Sequence, residues 1–225
     1  MMQILNTAHA GCMGTKMDGM ESILAGIQAG ANILEADIRV LPDGDVVLSH
    51  NAVKPSAGEN LVRLSQVLEA VRPYQRIRLN LDLKSTEKID AVARILQSFR
   101  MTDRAFFTGI DQSNQKDAAE RGGGIAYMLN YEPDPYCNDD FDFVRNILEQ
   151  LKSGEAFGVN LPYLSVTREL VKSVHQMQKS VSVWTVNGAY ELSRMIHMGV
   201  DSITTRRPDL LNTLLKNPLG LYHLG

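Results

Sequence analysis

Short apolar runs alternate with longer amphipathic stretches along the 225 residues of this chain. The runs at residues 3–9, 32–40, 77–83, 105–109, 124–130, 157–161, 181–186 and 202–205 predict β-strands. Most are almost continuously apolar, the pattern of parallel strands covered on both faces. The stretches at 18–29, 64–71, 85–99, 112–121, 139–151, 166–177, 189–198 and 208–215 predict helices. In the first of them Met20, Ile23, Leu24 and Ile27 recur at the spacing of one helical face. Eight strands, each followed by a helix, predict an α/β fold, a closed (β/α)8 TIM barrel. A barrel of this length runs undivided, so a single domain over residues 1–225 is expected. A further piece at 45–50 follows the turn Pro42-Asp43-Gly44 and predicts a short β-hairpin arm extending strand two.

Composition narrows the function classes. Hydrophobic content of 44% and charged content of 22% are those of an ordinary globular protein. A formal net charge of -3 argues against a nucleic-acid partner, which would require a basic surface. Cys12 and Cys137 are too few for a disulfide framework or a zinc site. No apolar run is long enough for an integral membrane segment. The first residues, Met-Met-Gln-Ile-Leu-Asn-Thr, lack the basic start and apolar stretch of a signal peptide, so a cytoplasmic location is expected.

In barrels of this kind chemistry sits at the C-terminal ends of the strands. His9 closes the first strand, Glu35 and Asp37 lie late in the second, Asp82 and Lys84 end the third, and His50 closes the hairpin arm. Alternation along a strand puts Glu35, Asp37 and Arg39 on one face, and likewise Asp82 with Lys84. Three carboxylates, two imidazoles and an ammonium can hold a hard divalent cation and move protons beside it. All-oxygen ligands favour Mg2+ or Ca2+ over zinc. Plainer readings exist for each group alone. A Glu-x-Asp pair is often neutralised by a basic neighbour, here Lys84 or Arg39, and Trp184 is equally suited to barrel packing. Cys12 suits a small loop-filling role, and His175, His197 and His223 fall on predicted helices or the tail, where solvent-facing roles are expected.

Six stretches in order resemble the glycerophosphodiester phosphodiesterase family. They are His9-Ala10-Gly11, Glu35-Ala36-Asp37-Ile38-Arg39, Pro42-Asp43-Gly44 through His50, and Leu79-Asn80-Leu81-Asp82-Leu83-Lys84, then Val183 to Asn187 and Gly199 to Pro208. The resemblance implies His9 and His50 as catalytic histidines, Glu35, Asp37 and Asp82 as ligands of one divalent cation, Lys84 as a phosphate contact and Trp184 as a site-lining group. It implies hydrolysis of a small-molecule glycerophosphodiester to glycerol 3-phosphate and an alcohol, by a monomer or homodimer. This chain departs from the family pattern in several places. Ala10 stands where the family has a phosphate-binding arginine, Asn51 replaces an aspartate, Asp82 is more often glutamate, and Met17-Asp18 replaces Glu-Asn. The stretch between His50 and Asp82 is also shortened. Arg39, by strand parity, and Arg206, after strand eight, are the expected replacements for the missing arginine. Two alternatives follow from the departures: a phosphodiesterase acting on lysophospholipid or another small diester, and a catalytically silent phospholigand-binding barrel.

Overall fold

The strands form in the predicted order and close on themselves. The computed structural model describes residues 4–53, 61–131 and 140–216. Strands β1 (Leu5–Ala8), β2 (Ile33–Val40), β4 (Arg78–Leu83), β5 (Ala105–Ile110), β6 (Tyr127–Asn130), β7 (Gly158–Pro162), β8 (Ser180–Trp184) and β9 (Ser202–Thr205) pair in parallel, each with the next. The β1–β9 and β1–β2 pairings shut the ring, giving a TIM barrel. Closure leaves no unpaired edge, and each βα connection returns the chain to the next parallel strand. The intervening strand β3 (Val46–Leu48) lies outside this ring and runs antiparallel to the upper part of β2, pairing Ile38 with Leu48 and Val40 with Val46. The Asp43 carboxylate accepts the Asp45 amide N–H, and Gly44 N–H donates to the Leu41 carbonyl, which fixes the hairpin turn.

Helices α1 (Met20–Gln28), α2 (Leu64–Val71), α3 (Ile89–Ser98), α4 (Gln115–Arg121), α5 (Asp140–Ser153), α6 (Arg168–Gln176), α7 (Ala189–Met198) and α8 (Pro208–Lys216) surround the strands. The main core lies between the two layers, where outward strand residues such as Leu34, Leu81 and Val183 are fully buried with Ile23, Val92 and Leu192 of the helices. Helix α1 packs Met20, Ile23 and Ile27 of its predicted face against the core, but that face is rotated away from Leu24. Its buried residues are Ser22, Ile23 and Gly26, and Leu24 is exposed. A Cβ at Gly26 would stand 2.6 Å from Leu34 Cδ2 and 2.9 Å from Ala8 Cβ, so the small residues set the contact face. Hydrophobicity alone misses Ser22 and Gly26 and misplaces Leu24 there.

Inside the ring the chemistry changes with height. A small apolar floor of Ile33, Phe106 and Met128 fills the lower end, with Leu5 and Phe157 packed on it. Two residues further along the same strands, on the same face, come Glu35, Thr108 and Asn130. The barrel is therefore apolar below and polar at its C-terminal mouth.

Candidate active site

Strand register decides which polar side chains meet at the mouth. Glu35 stands beside Asn80, and Asp37 beside Asp82, which in turn neighbours Thr108. One oxygen from each of Glu35, Asp37 and Asp82 lies within 4.8 Å of the others. Lys84 Nζ bridges Asp37 Oδ1 and Asp82 Oδ2, each at 2.5 Å. Thr108 Oγ1 lies 2.8 Å from Asp82 Oδ1 and 2.8 Å from Asn80 Oδ1, fixing the rotamer of the shorter acid.

The two imidazoles flank this group. His9 Nδ1 lies 2.7 Å from the Ala10 carbonyl oxygen, which can only accept, so Nδ1 carries the proton and Nε2 the lone pair. The Ala10 amide N–H donates to Glu35 Oε2 at 2.8 Å, binding the first motif to the second. Gly11 follows at φ 77°, and a Cβ there would stand 2.8 Å from Met17 Cγ, so this turn of the loop requires glycine. His50 Nδ1 lies 3.3 Å from Asp37 Oδ2. Its backbone is clasped from two sides, because its N–H donates to Asp18 Oδ2 and its carbonyl accepts from Arg39 Nη2.

Burial sets the electrostatics. Desolvation, then the Asp37 and Asp82 charges, push the Glu35 carboxyl well above its usual range, against the opposing pull of Ala10 N–H and Lys84. Burial lowers the His9 imidazole, and Arg206 adds to the effect; the Ala10 carbonyl and the carboxylates oppose it without reversing it. Burial also acts to lower the Lys84 ammonium, but Asp82 and Asp37 outweigh it and leave it raised.

All of these groups open into one cavity of about 610 Å³, lined also by Arg206, Trp184 and Met17. Of the residues singled out from sequence, His9, Glu35, Asp37, His50, Asp82, Lys84, Trp184 and Arg206 are brought together here. Arg39 is not on this wall; it holds the His50 carbonyl from outside. Cys12 is fully buried beneath the loop, its thiol near the Ser22 carbonyl. Cys137, His223 and part of the shortened stretch after His50 lie outside the described residues. Asn80, Thr108, Asn130, Asn160 and Thr204 also line the cavity and were missed by reading charges and histidines. Most are a lone uncharged polar side chain inside an apolar strand run, which by itself marks no site.

A larger cavity of about 820 Å³ lies at the opposite end, near Ile4, Asn32 and Asp201, where the strands begin. His175 faces it, partly exposed as the sequence suggests but held by a partner. Its Nε2 meets Asp201 Oδ2 at 2.8 Å, and the same oxygen accepts the Val181 N–H, stapling α6 to the start of β8. Size is a poor guide here: the clustered carboxylates, the two imidazoles and Lys84 are in the smaller cavity.

The donor set suits a divalent cation. Three carboxylates face Lys84, with Arg206 on the same cavity wall, which leaves one formal negative charge for a cation to neutralise. Glu35, Asp37 and Asp82 would hold the ion, in the all-oxygen manner of Mg2+ or Ca2+.

A (β/α)8 barrel whose C-terminal mouth gathers three carboxylates, two imidazoles, a lysine and an arginine has the layout of an enzyme active site, with groups suited to proton transfer and cation binding. A model of the glycerophosphoryl diester phosphodiesterase family matches residues 55–210. The chain belongs to this family and is an enzyme of the phosphoric diester hydrolase class. A glycerophosphodiester phosphodiesterase of Arabidopsis thaliana is 34% identical over 79 residues, a match spanning 35% of this chain and 24% of that protein. The structure of a putative glycerophosphoryl diester phosphodiesterase from Silicibacter pomeroyi superposes with a TM-score of 0.82 at 19% identity, covering 96% of this chain and 94% of that one. A phosphodiesterase of Oleispira antarctica, in complex with its product sn-glycerol-3-phosphate, gives a TM-score of 0.78 at 18% identity, covering 95% and 97%.

Proposed function

We propose that this protein is a metal-dependent hydrolase of small glycerophosphodiesters, releasing glycerol 3-phosphate and an alcohol through histidine acid–base chemistry. The observation that carries the reading is the triad of carboxylates within 4.8 Å, flanked by two imidazoles in one cavity. The product named in the Oleispira structure supports the same product here.

Glu35, Asp37 and Asp82 would hold a divalent cation, which would supply charge neutralisation at the phosphate. His9 is suited to take the proton from the attacking oxygen, because its imidazole is lowered and its Nε2 lone pair is free. His50, with the Asp37 carboxylate as counter-ion, is suited to protonate the leaving alcohol. Lys84 reaches the phosphate from the carboxylate side. Arg206, on the cavity wall near His9, takes the contact that Ala10 cannot make. Asp18 and Arg39 act through His50 as positioning residues, holding its amide and carbonyl. Trp184 closes the side of the cavity away from β2. No described helix is long and apolar enough to cross a membrane; the reading takes the chain as one cytoplasmic domain, a monomer or homodimer.

Hydrolysis of glycerophosphocholine, followed by enzymatic detection of glycerol 3-phosphate, tests this reading. Wild type should form it, and His9→Ala should be slower by about 10²–10⁴-fold. Wild type that turns over no diester would leave only a silent ligand-binding barrel. A second reading, cleavage of lysophospholipids, is favoured by Leu164 and Tyr190. Both are more than 70% exposed and follow β7 and β8 on the mouth side, where an acyl chain would leave the cavity. Turnover of lysophosphatidylcholine exceeding that of glycerophosphocholine would select it.

A further inference from the structure

Along β6, β7 and β8 the cavity wall carries no charged side chain. Asn130 ends β6, Asn160 lies beside it in β7, and Trp184 ends β8 beside Pro162. All three line the cavity, whose carboxylates come from β2 and β4 alone. Asn160 is only 5% exposed. Its Nδ2 reaches Asn130 Oδ1 at 3.4 Å, while its own Oδ1 has no partner. Asn130 Oδ1 is already committed to the Gly109 N–H at 3.1 Å, which holds that amide in place. The Trp184 indole Nε1 is buried without a partner as well.

Unmatched buried polar groups cost roughly 1–3 kcal/mol each, so a wall serving only to exclude water would be better made of Leu or Val. An unpaired acceptor and an unpaired donor on an uncharged wall complement a hydroxyl, which both donates and accepts. An acyl chain against this wall would leave Asn160 Oδ1 unpaired. An ammonium group would find no counter-charge among the residues of β6, β7 and β8 that line it.

We infer that Asn160, held by Asn130, is the specificity-determining contact for the uncharged, hydroxyl-bearing arm of the diester. The inference rests on the phosphodiesterase reading above and names which half of the substrate faces β6 to β8. The hydroxylated arm lies against Asn160, and the phosphate lies towards Lys84 and Arg206.

The test compares glycerophosphoglycerol, hydroxylated on both arms, with bis(p-nitrophenyl) phosphate, which has no hydroxyl. Wild type is assayed beside Asn160→Leu and Asn160→Ala, the second guarding against misfolding of the first, with folding checked by circular dichroism. The ratio of kcat/KM for the two diesters should fall about tenfold in the folded variants, the loss expected for one directed hydrogen bond to a substrate hydroxyl. The Ki of glycerol 3-phosphate should rise relative to that of inorganic phosphate. A ratio that stays within about threefold of wild type, whether both activities fall or neither does, overturns the inference while leaving the phosphodiesterase reading intact. Wild type inactive on both diesters overturns the two together.

Discussion

At the scale of single residues, the first motif shows how a short peptide can set a protonation state. The Ala10 carbonyl fixes the tautomer of His9, and the Ala10 N–H reaches Glu35, so one residue orients an imidazole and a carboxylate together. If His9 is the base, the reaction needs its neutral form. Its lowered pKa then places the acidic limb of kcat/KM below 6.5, with the rate rising as pH increases through that limb. A limb at or above 6.5, the ordinary value of an imidazole, in a pH–rate profile would remove His9 from this role. Arg206→Ala should raise KM by about tenfold, near 1.4 kcal/mol, with a smaller effect on kcat. Arg39→Ala, whose contact is to the His50 carbonyl, should instead lower kcat. Equal and negligible effects of the two changes would show that neither replaces the missing arginine. The charged half of the mouth was legible in sequence because carboxylates and histidines are conspicuous at strand ends. The amides were not, since an Asn in an apolar run declares nothing until register sets Asn130 beside Asn160.

At the scale of elements, parallel strands were legible because burial on both faces leaves an unbroken apolar run. The observed strands and helices start and stop within a few residues of their expected bounds. Where periodicity misled, the cause was close packing. Helix α1 turns Gly26 and Ser22 inward because backbone proximity to β1 and β2 admits no larger side chain, and Ser22 Oγ then accepts the Gly11 N–H. Strand β5 carries a second such feature. Its register shifts between Phe107 and Ile110, and Gly109 at φ 74° frees its N–H for Asn130. A Cβ there would stand 2.2 Å from the Leu83 carbonyl oxygen. Gly109→Ala should therefore destabilise by about 2–3 kcal/mol, combining left-handed strain with a backbone clash. Urea unfolding reads this directly, and an unchanged midpoint would mean that the bulge is not constrained as described.

At the scale of the whole molecule, the barrel concentrates negative charge that its own residues do not balance. Glu35 binds a proton more tightly when folded than when unfolded, since its pKa is raised above 4.5. Its contribution to stability is therefore fully present below that value and is lost as pH rises through the folded-state pKa. Metal-free protein should lose thermal stability on going from mildly acidic to neutral pH. Mg2+ or Ca2+ should raise Tm more at the higher pH, because a bound cation must displace that proton. A cation-induced shift in Tm that is independent of pH would separate Glu35 from the ion. The fold follows from alternating elements and strand closure, and the site from where those strands end. The substrate's identity lies in uncharged contacts and loop lengths that no motif encodes.

The most direct measurement is glycerophosphodiester hydrolysis after exhaustive treatment with EDTA, followed by addition of Mg2+ or Ca2+, with Asp82→Ala assayed alongside. The account predicts activity abolished by the chelator, restored by one of the two ions in wild type, and not restored to the same level in Asp82→Ala. Full activity in the presence of EDTA would contradict it.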